Sequence, residues 1–184
     1  VVLISVHEDG RWPYSGRLNQ PQAPNVRNFP VPRGFCDSEL RFLMHEPILA
    51  IASRVRPEAI VITAGADCLQ GDPLSSMALS NQAFWEAVMQ ACTFAPLQVV
   101  LGGGGYNPWT TARAWAGLWA RLAGFEIPAG LPQSAIDILM PMTCDLVDDD
   151  ERQPFWTSTL ADPANPGHVR DEVKKLAAAA SIAA

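Results

Sequence analysis

Two stretches of this chain each combine an apolar run, a break at small residues and one side chain capable of chemistry. In residues 64–74, Asp67 follows a β-branched run; in residues 101–107, four consecutive glycines lead to Tyr106. In a parallel α/β sheet the carboxyl ends of the strands form the edge at which ligands bind. At such an edge Asp67 could ligate a metal, and Tyr106 could donate a hydrogen bond to a developing oxyanion.

Each of these features also has a simpler interpretation. The glycine run could cradle a phosphate ahead of a helix, but no Lys-Ser/Thr follows it and it lacks the GxGxxG spacing with a later acid. Glycine also allows close approach of the backbone to a substrate or to a neighbouring strand. Tyr106 could be a packed aromatic, Asp67 an Asx-turn residue, and Asp72 before Pro73 a turn cap.

The surrounding pattern predicts the elements that must position these residues. Apolar runs predict strands over 1–6, 58–63 and 97–101, and the segment 7–32, with Trp12 and Tyr14, is expected to be a long ordered loop. Helices are predicted over 37–56, capped by Asp37 or Ser38 and bent at Pro47, from Ser80 through Cys92, over 108–122, and from His168 to Ala184. Strands alternating with helices predict an α/β fold with a mainly parallel sheet in three α/β/α layers.

Size and composition predict one domain that is part of a longer protein. The 184 residues are expected to form a single domain, 1–184, with a core over 1–145 and a peripheral segment and C-terminal helix over 146–184. The charged fraction of only 17% suggests that part of the surface is buried against another segment. Because the chain begins with Val1 and three strands are few for such a sheet, we expect a fragment.

Charge and hydropathy exclude two classes of partner. The net charge is −6 and the basic residues are scattered, so no face is expected to bind nucleic acid. No apolar run approaches the roughly 20 residues of a membrane span. Four widely spaced cysteines without an export signal predict reduced thiols and a cytoplasmic location.

Four motifs resemble those of the metal-dependent histone deacetylases, and especially the bacterial acetoin-utilisation branch. Residues 4–10 are similar to the family's strand and "HE.G" loop, and residues 11–16 occupy the place of its aromatic "FPGTG" segment. Residues 65–74 resemble its "GAD...DPL" motif and residues 101–115 its "GGGGYN...AR.W" motif. The resemblance covers about residues 1–145 and implies the C-terminal half of an arginase/deacetylase-like fold, present here without its other half.

The resemblance also implies roles for particular residues. Asp67 would be one carboxylate ligand of a catalytic Zn²⁺ or Fe²⁺, and Tyr106 would polarise the amide carbonyl of an acetyl-lysine-like substrate. Tyr14 would line the acyl tunnel, Leu74 its rim, and Gly104 and Gly105 would let the substrate pass close to the backbone. Ser5 and Val6 would offer oxygens to a monovalent cation such as K⁺.

Part of the family's machinery is not found in this sequence. The Asp-x-His pair that completes the metal site and the His-His pair that serves as base do not occur, and His7, His45 and His168 stand elsewhere. We therefore expect this chain alone to be inactive and its parent protein to be the enzyme, acting on an acetylated amine or protein lysine. The alternatives are a non-catalytic deacetylase-like binding or scaffold module and a polyamine amidohydrolase.

Overall fold

The computed structural model describes residues 1–182 and contains four strands and six α-helices in this range. The strands are β1 (Leu3–Glu8), β2 (Val26–Val31), β3 (Ala59–Ala64) and β4 (Leu97–Gly102). The helices are α1 (Asp37–Leu43), α2 (Leu49–Val55), α3 (Asn81–Cys92), α4 (Pro108–Leu122), α5 (Gln133–Leu139) and α6 (Asp171–Ile182). None of the helices among residues 1–182 has the length and apolar character needed to cross a membrane.

The strands form two parallel pairs. β1 pairs with β2 in the register Leu3↔Val26, and β3 pairs with β4 in the register Ala59↔Leu97. Parallel pairs need crossover connections, and between β3 and β4 this connection is made by α3. The expected parallel α/β arrangement is therefore present, divided within residues 1–182 into two two-stranded sheets.

The prediction of a loop over 7–32 is wrong at both ends, where the structure has strand residues. β1 continues through His7 and Glu8, and β2 occupies Val26–Val31. Asn28 and Pro30 interrupt the apolar run of β2, so the sequence gives no clear strand signal. Because β2 pairs only with β1 in the described residues, Pro30 removes no hydrogen bond from a second neighbour.

The predicted helix over 37–56 is present in three consecutive parts. A π-helical turn, Met44–Ile48, contains Pro47 and separates α1 from α2, as the proline predicts. The expected cap is wrong, since Cys36 holds the N-cap position. The Asp37 carboxylate instead accepts hydrogen bonds from the backbone N–H groups of Ser80 and Asn165, both at 2.8 Å.

The segment after residue 145, expected at the periphery, contributes to the main core. Val173, Leu176 and Ala177 of α6 are buried in the same cluster as the side chains of β2 and α1. The C-terminal helix begins at Asp171 rather than at His168, and its expected extension over residues 183–184 lies outside the described residues. A smaller cluster of Trp109, Leu139, Val147 and Trp156 joins residues 139–156 to α4.

One face of the β3–β4 sheet has no helix over it in the described residues. The exposed side chains on this uncovered face are Ala59, Val61, Thr63, Leu97, Val99 and Leu101. Val61, Val99 and Leu101 are 64%, 50% and 47% exposed, whereas Ile62 and Val100, which point to the other side, pack against the main core. An apolar sheet face of this kind is normally buried against another layer.

An ion pair fastens α6 to α1 and gives a first testable prediction. Arg170 donates from Nε and Nη2 to the two carboxylate oxygens of Glu39, each at 2.7 Å. Burial alone would raise the pKa of Glu39, but these bonds and the backbone N–H groups of Arg170 and Cys36 lower it below its ordinary 4.5. A carboxyl with a lowered folded-state pKa contributes stability above its unfolded value, and this stability is lost as pH falls through the folded pKa.

We expect Glu39→Gln to lower the free energy of unfolding by about 2 kcal/mol near pH 7, because charged hydrogen bonds are lost. The difference between variant and parent should shrink as pH falls below 4.5, which urea unfolding at several pH values measures. Glu86→Gln is the matched control, since Glu86 pairs with Arg41 on the surface and should change stability little. A pH-independent difference would contradict the assigned role of Glu39.

Candidate functional site

The ends of β3 and β4 bring the two sequence motifs side by side. The last pair of the ladder is Ala64↔Gly102, and beyond it the backbone N–H of Ala66 donates to the carbonyl oxygen of Gly104 at 2.6 Å. Asp67 lies in a single 3-10 turn, Ala66–Cys68, directly after this contact. Asp67 and Tyr106 therefore leave the same sheet edge in adjacent loops.

The glycines are required by close approach of these two loops. A Cβ on Gly104 would overlap the carboxylate of Asp67, and a Cβ on Gly103 would lie 2.7 Å from the Cα of Gly65. Gly105 has a φ of +143°, a conformation that side chains disfavour. Of the two interpretations of the glycine run, the close approach of a neighbouring strand is the one present.

This geometry predicts different outcomes for two adjacent glycines. Gly103→Ala should lower the free energy of unfolding by about 1–3 kcal/mol, because the backbone of Gly65 must move to admit the methyl group. Gly102→Ala is the matched control, since its Cβ would meet Trp115 at an ordinary 3.7 Å. Chemical denaturation of both variants measures the difference, and equal stabilities would show that the loops are further apart than described.

Asp67 is a half-buried carboxylate without a cationic partner among the described residues. Burial raises its pKa, and its own backbone N–H opposes this effect. Burial also raises the pKa of the neighbouring Cys68 thiol, which donates to the carbonyl oxygen of Gly65 at 3.2 Å. Cys68 therefore stays protonated, and Asp67 is the oxygen ligand that this turn offers to a cation.

Asp72 is more than the turn cap that its sequence context suggests. Its Oδ1 accepts the backbone N–H of Leu74 at 2.9 Å, which is a local turn bond. Its Oδ2 accepts the backbone N–H of Tyr106 at 2.8 Å, across 34 positions of sequence. Asn107, the next residue, caps α4 with its side chain and donates from Nδ2 to the carbonyl oxygen of Gly71 at 2.8 Å.

The loop after β1 is tied to the same edge by a residue that sequence reasoning missed. Glu8 is buried, and its Oε2 accepts hydrogen bonds from the backbone N–H of Ser76 at 2.7 Å and from Nε of Arg11 at 3.0 Å. Arg11 also donates to the hydroxyl of Ser76 at 2.6 Å. The only sequence signal for Glu8 is its place in the "HE.G" motif.

This connection joins the loop of Tyr14 to the segment of Leu74. Tyr14 is 66% exposed and Leu74 is 49% exposed, so both present apolar surface to solvent. Trp12, in the same loop as Tyr14, is 83% exposed and is a further exposed aromatic side chain.

The expected cation ligands Ser5 and Val6 lie in the middle of β1. The hydroxyl of Ser5 lies 2.9 Å from Nδ1 of His7, and burial lowers the pKa of this histidine despite the nearby Asp9. His7 thus pairs with Ser5 within β1.

Within residues 1–182, no group of three or more His, Cys, Asp or Glu side chains is arranged to hold a metal ion. Asp67 offers one carboxylate, and Tyr106, which is 45% exposed, offers a phenol from the adjacent loop. The edge therefore holds an incomplete constellation: a metal-capable carboxylate, a hydrogen-bond donor and a rim of apolar side chains.

The sequence pattern of the histone deacetylase domain matches residues 1–122 of this chain. The chain belongs to the histone deacetylase family. Among curated relatives, histone deacetylase 8 of Xenopus tropicalis is 27% identical over 138 residues, which cover 72% of this chain and 37% of that protein. Type-1 histone deacetylase 1 of Dictyostelium discoideum is 31% identical over 137 residues, covering 72% of this chain and 28% of that protein.

Solved structures of family members share the fold of this chain. The crystal structure of an HDAC homolog from Aquifex aeolicus superposes with a TM-score of 0.89 at 34% identity, over 97% of this chain and 50% of that one. A crystal structure of an HDAC homolog complexed with SAHA gives a TM-score of 0.87 at 33% identity with the same coverage. The deacetylase α/β fold is therefore shown, and the chain spans about half the length of these structures and less than half of the curated relatives.

Proposed function

We propose that this chain is the C-terminal portion of a metal-dependent deacetylase that hydrolyses an acetylated amine, such as an acetyl-lysine amide. The observation that carries the proposal is the placement of Asp67 and Tyr106 in adjacent loops at one sheet edge. Membership of the deacetylase family and likeness to an HDAC homolog complexed with SAHA support this choice of reaction.

Asp67 suits one position of a metal site. A half-buried carboxylate whose pKa is raised by burial is electrostatically unfavourable when ionised, and a bound cation would offset that cost. Asp67, together with ligands from outside this chain, would hold Zn²⁺ or Fe²⁺, and the ion would supply Lewis-acid activation of water and of the amide carbonyl. K⁺ near Ser5 and Val6 remains a proposal based on the resemblance.

Tyr106 would act on the developing oxyanion. A neutral phenol donates a hydrogen bond without carrying a charge into an apolar channel. Gly104 and Gly105 would let the substrate pass close to the backbone, while Tyr14 and Leu74, both exposed, would line the acyl channel and its rim with apolar surface. Each of these residues binds or orients the acetyl amide rather than transferring a proton.

The rest of the domain would complete both the site and the sheet. The uncovered face of β3 and β4, with Val61, Val99 and Leu101 exposed, suits burial by the part of the deacetylase domain that this chain does not cover. The remaining metal ligands and the general base would come from that part. We therefore propose that the chain alone is inactive, and that the parent protein acts in the cytoplasm.

The test compares the complete gene product with this chain alone. We expect the complete protein to hydrolyse an acetyl-lysine reporter, to lose activity to a chelator and to regain it with Zn²⁺ or Fe²⁺, whereas the chain alone should give no turnover. An acetylated polyamine in parallel assays decides between protein lysine and polyamine substrates. A complete protein inactive on both substrates with either metal would favour a binding or scaffold module.

A further inference from the structure

We propose that Asp72 is a positioning residue for the reaction: its one buried carboxylate holds the backbone of Tyr106 and the backbone of Leu74 in a fixed relation. This inference rests on the proposed function, in which Tyr106 contacts the reacting carbonyl and Leu74 forms the rim. Asp72 does not contact the reacting carbonyl. It acts through the backbone N–H groups of Tyr106 and Leu74.

The two oxygens of Asp72 have separate tasks. The side chain is only 5% exposed, Oδ2 accepts from Tyr106 at 2.8 Å, and Oδ1 accepts from Leu74 at 2.9 Å. The Leu74 bond alone would be an ordinary turn. The bond to Tyr106 is different, because it joins the loop after β3 to the loop after β4.

Tyr106 needs an anchor at this point of the chain. Two glycines precede it, Gly104 and Gly105, and glycine restricts the backbone least. Asn107 fixes the chain on the other side by capping α4. Tyr106 is 45% exposed, so packing restrains its ring only in part. The hydrogen bond from the Tyr106 N–H to Asp72 therefore fixes the position of the backbone from which the side chain extends.

Only a carboxylate satisfies both donors. Two backbone N–H groups require two acceptor oxygens, whereas an asparagine of nearly the same shape would turn an NH₂ group toward one of them. Burial raises the pKa of Asp72, and the nearby charge of Asp67 adds to this effect, while the N–H groups of Tyr106 and Leu74 oppose it. Burying an ionised carboxylate costs free energy unless its oxygens accept hydrogen bonds, as those of Asp72 do.

The first experiment compares Asp72→Asn with Asp37→Asn in the complete protein, assayed on the acetyl-lysine reporter. Asp37 is the matched control, because it is also buried and also accepts two backbone N–H groups, but between α1, Ser80 and Asn165. We expect Asp72→Asn to reduce kcat at least tenfold with a smaller change in KM, since misplacement of about 1 Å costs roughly 10²-fold. Asp37→Asn should lower Tm and leave kcat within about twofold of the parent.

Two measurements on the 184-residue chain need no enzymatic activity, and they therefore separate this inference from the proposed function. The chain has two tyrosines, so 3-fluorotyrosine gives two ¹⁹F resonances, and Tyr14→Phe identifies the one from Tyr106. Asp72→Asn should shift or broaden the Tyr106 resonance and Asp37→Asn should not. In the unsubstituted chain, the Tyr106 N–H should exchange slowly with solvent although its side chain is exposed.

The outcomes are distinguishable. An inactive complete protein overturns the proposed function, while the fluorine and exchange measurements still decide whether Asp72 holds Tyr106. A kcat for Asp72→Asn within twofold of the parent, equal losses in both variants, or rapid exchange of the Tyr106 N–H would each overturn the role of Asp72.

Discussion

If the proposed function holds, Tyr106→Phe should reduce kcat of the complete protein on an acetyl-lysine substrate by about 10²–10³-fold, as expected for the loss of one oxyanion donor. The substitution keeps the aromatic ring and removes only the hydroxyl. The backbone bond from Tyr106 to Asp72 and the cap at Asn107 do not involve the hydroxyl, so the loop should be undisturbed. KM should change much less than kcat, because the hydrogen bond strengthens as negative charge develops.

The chain contains its own matched control for this prediction. Tyr14→Phe removes the same atom from its other tyrosine, which is 66% exposed in the loop after β1. A residue of the channel wall contributes contact area rather than a donor, so this variant should retain kcat within a few-fold. Full turnover by Tyr106→Phe, or equal losses in the two variants, would remove the oxyanion role from Tyr106.

Sequence alone predicts the elements that carry local signals. Continuous β-branched runs mark β3 and β4, Ser80 caps α3, and Pro108 begins α4. Because both strand runs end at small residues, the adjacency of Asp67 and Tyr106 also follows once the strands are taken as parallel neighbours. The strand runs and the helix starts depend on residues within one turn or one strand of each other, and the adjacency needs only the parallel pairing of β3 with β4.

Features that depend on distant partners are not visible in the sequence. Asp37 looks like a helix cap, but its carboxylate is bound to Ser80 and Asn165, 43 and 128 positions away. Asp72 looks like a turn residue, and its bond to Tyr106 exists only after β3 and β4 pair. Strand β2 is hidden because Pro30 breaks the pattern while the strand still pairs with β1.

The largest effect on stability is expected at Arg113, on the buried side of α4. Arg113 is 2% exposed, its Nη1 lies 2.8 Å from Oδ1 of Asp162, and its Nε donates to the carbonyl oxygen of Thr159 at 2.6 Å. Arg113→Met should lower the free energy of unfolding by about 3–5 kcal/mol, because the carboxylate of Asp162 remains buried without its cation. Urea unfolding monitored by tryptophan fluorescence measures this loss.

The pH dependence of the loss identifies its cause. Burial already raises the pKa of Asp162, and Arg113 opposes that effect, so its removal should raise the pKa further. A group with a raised folded-state pKa stabilises the fold below its unfolded value and loses this contribution as pH rises. The loss of unfolding free energy in Arg113→Met should therefore be larger at pH 7 than at pH 4.

Two further variants separate the buried charge from lost packing. Arg41→Met removes the cation of a surface pair with Glu86 and should cost less than about 1 kcal/mol. The double variant Arg113→Met/Asp162→Asn should recover part of the loss, since no unpaired charge remains. A loss below 1 kcal/mol for Arg113→Met, or no recovery in the double variant, would contradict the buried ion pair. Because α4 begins two residues after Tyr106, an Arg113 variant that unfolds easily should also lose activity when warmed, whereas Tyr106→Phe should lose activity at every temperature.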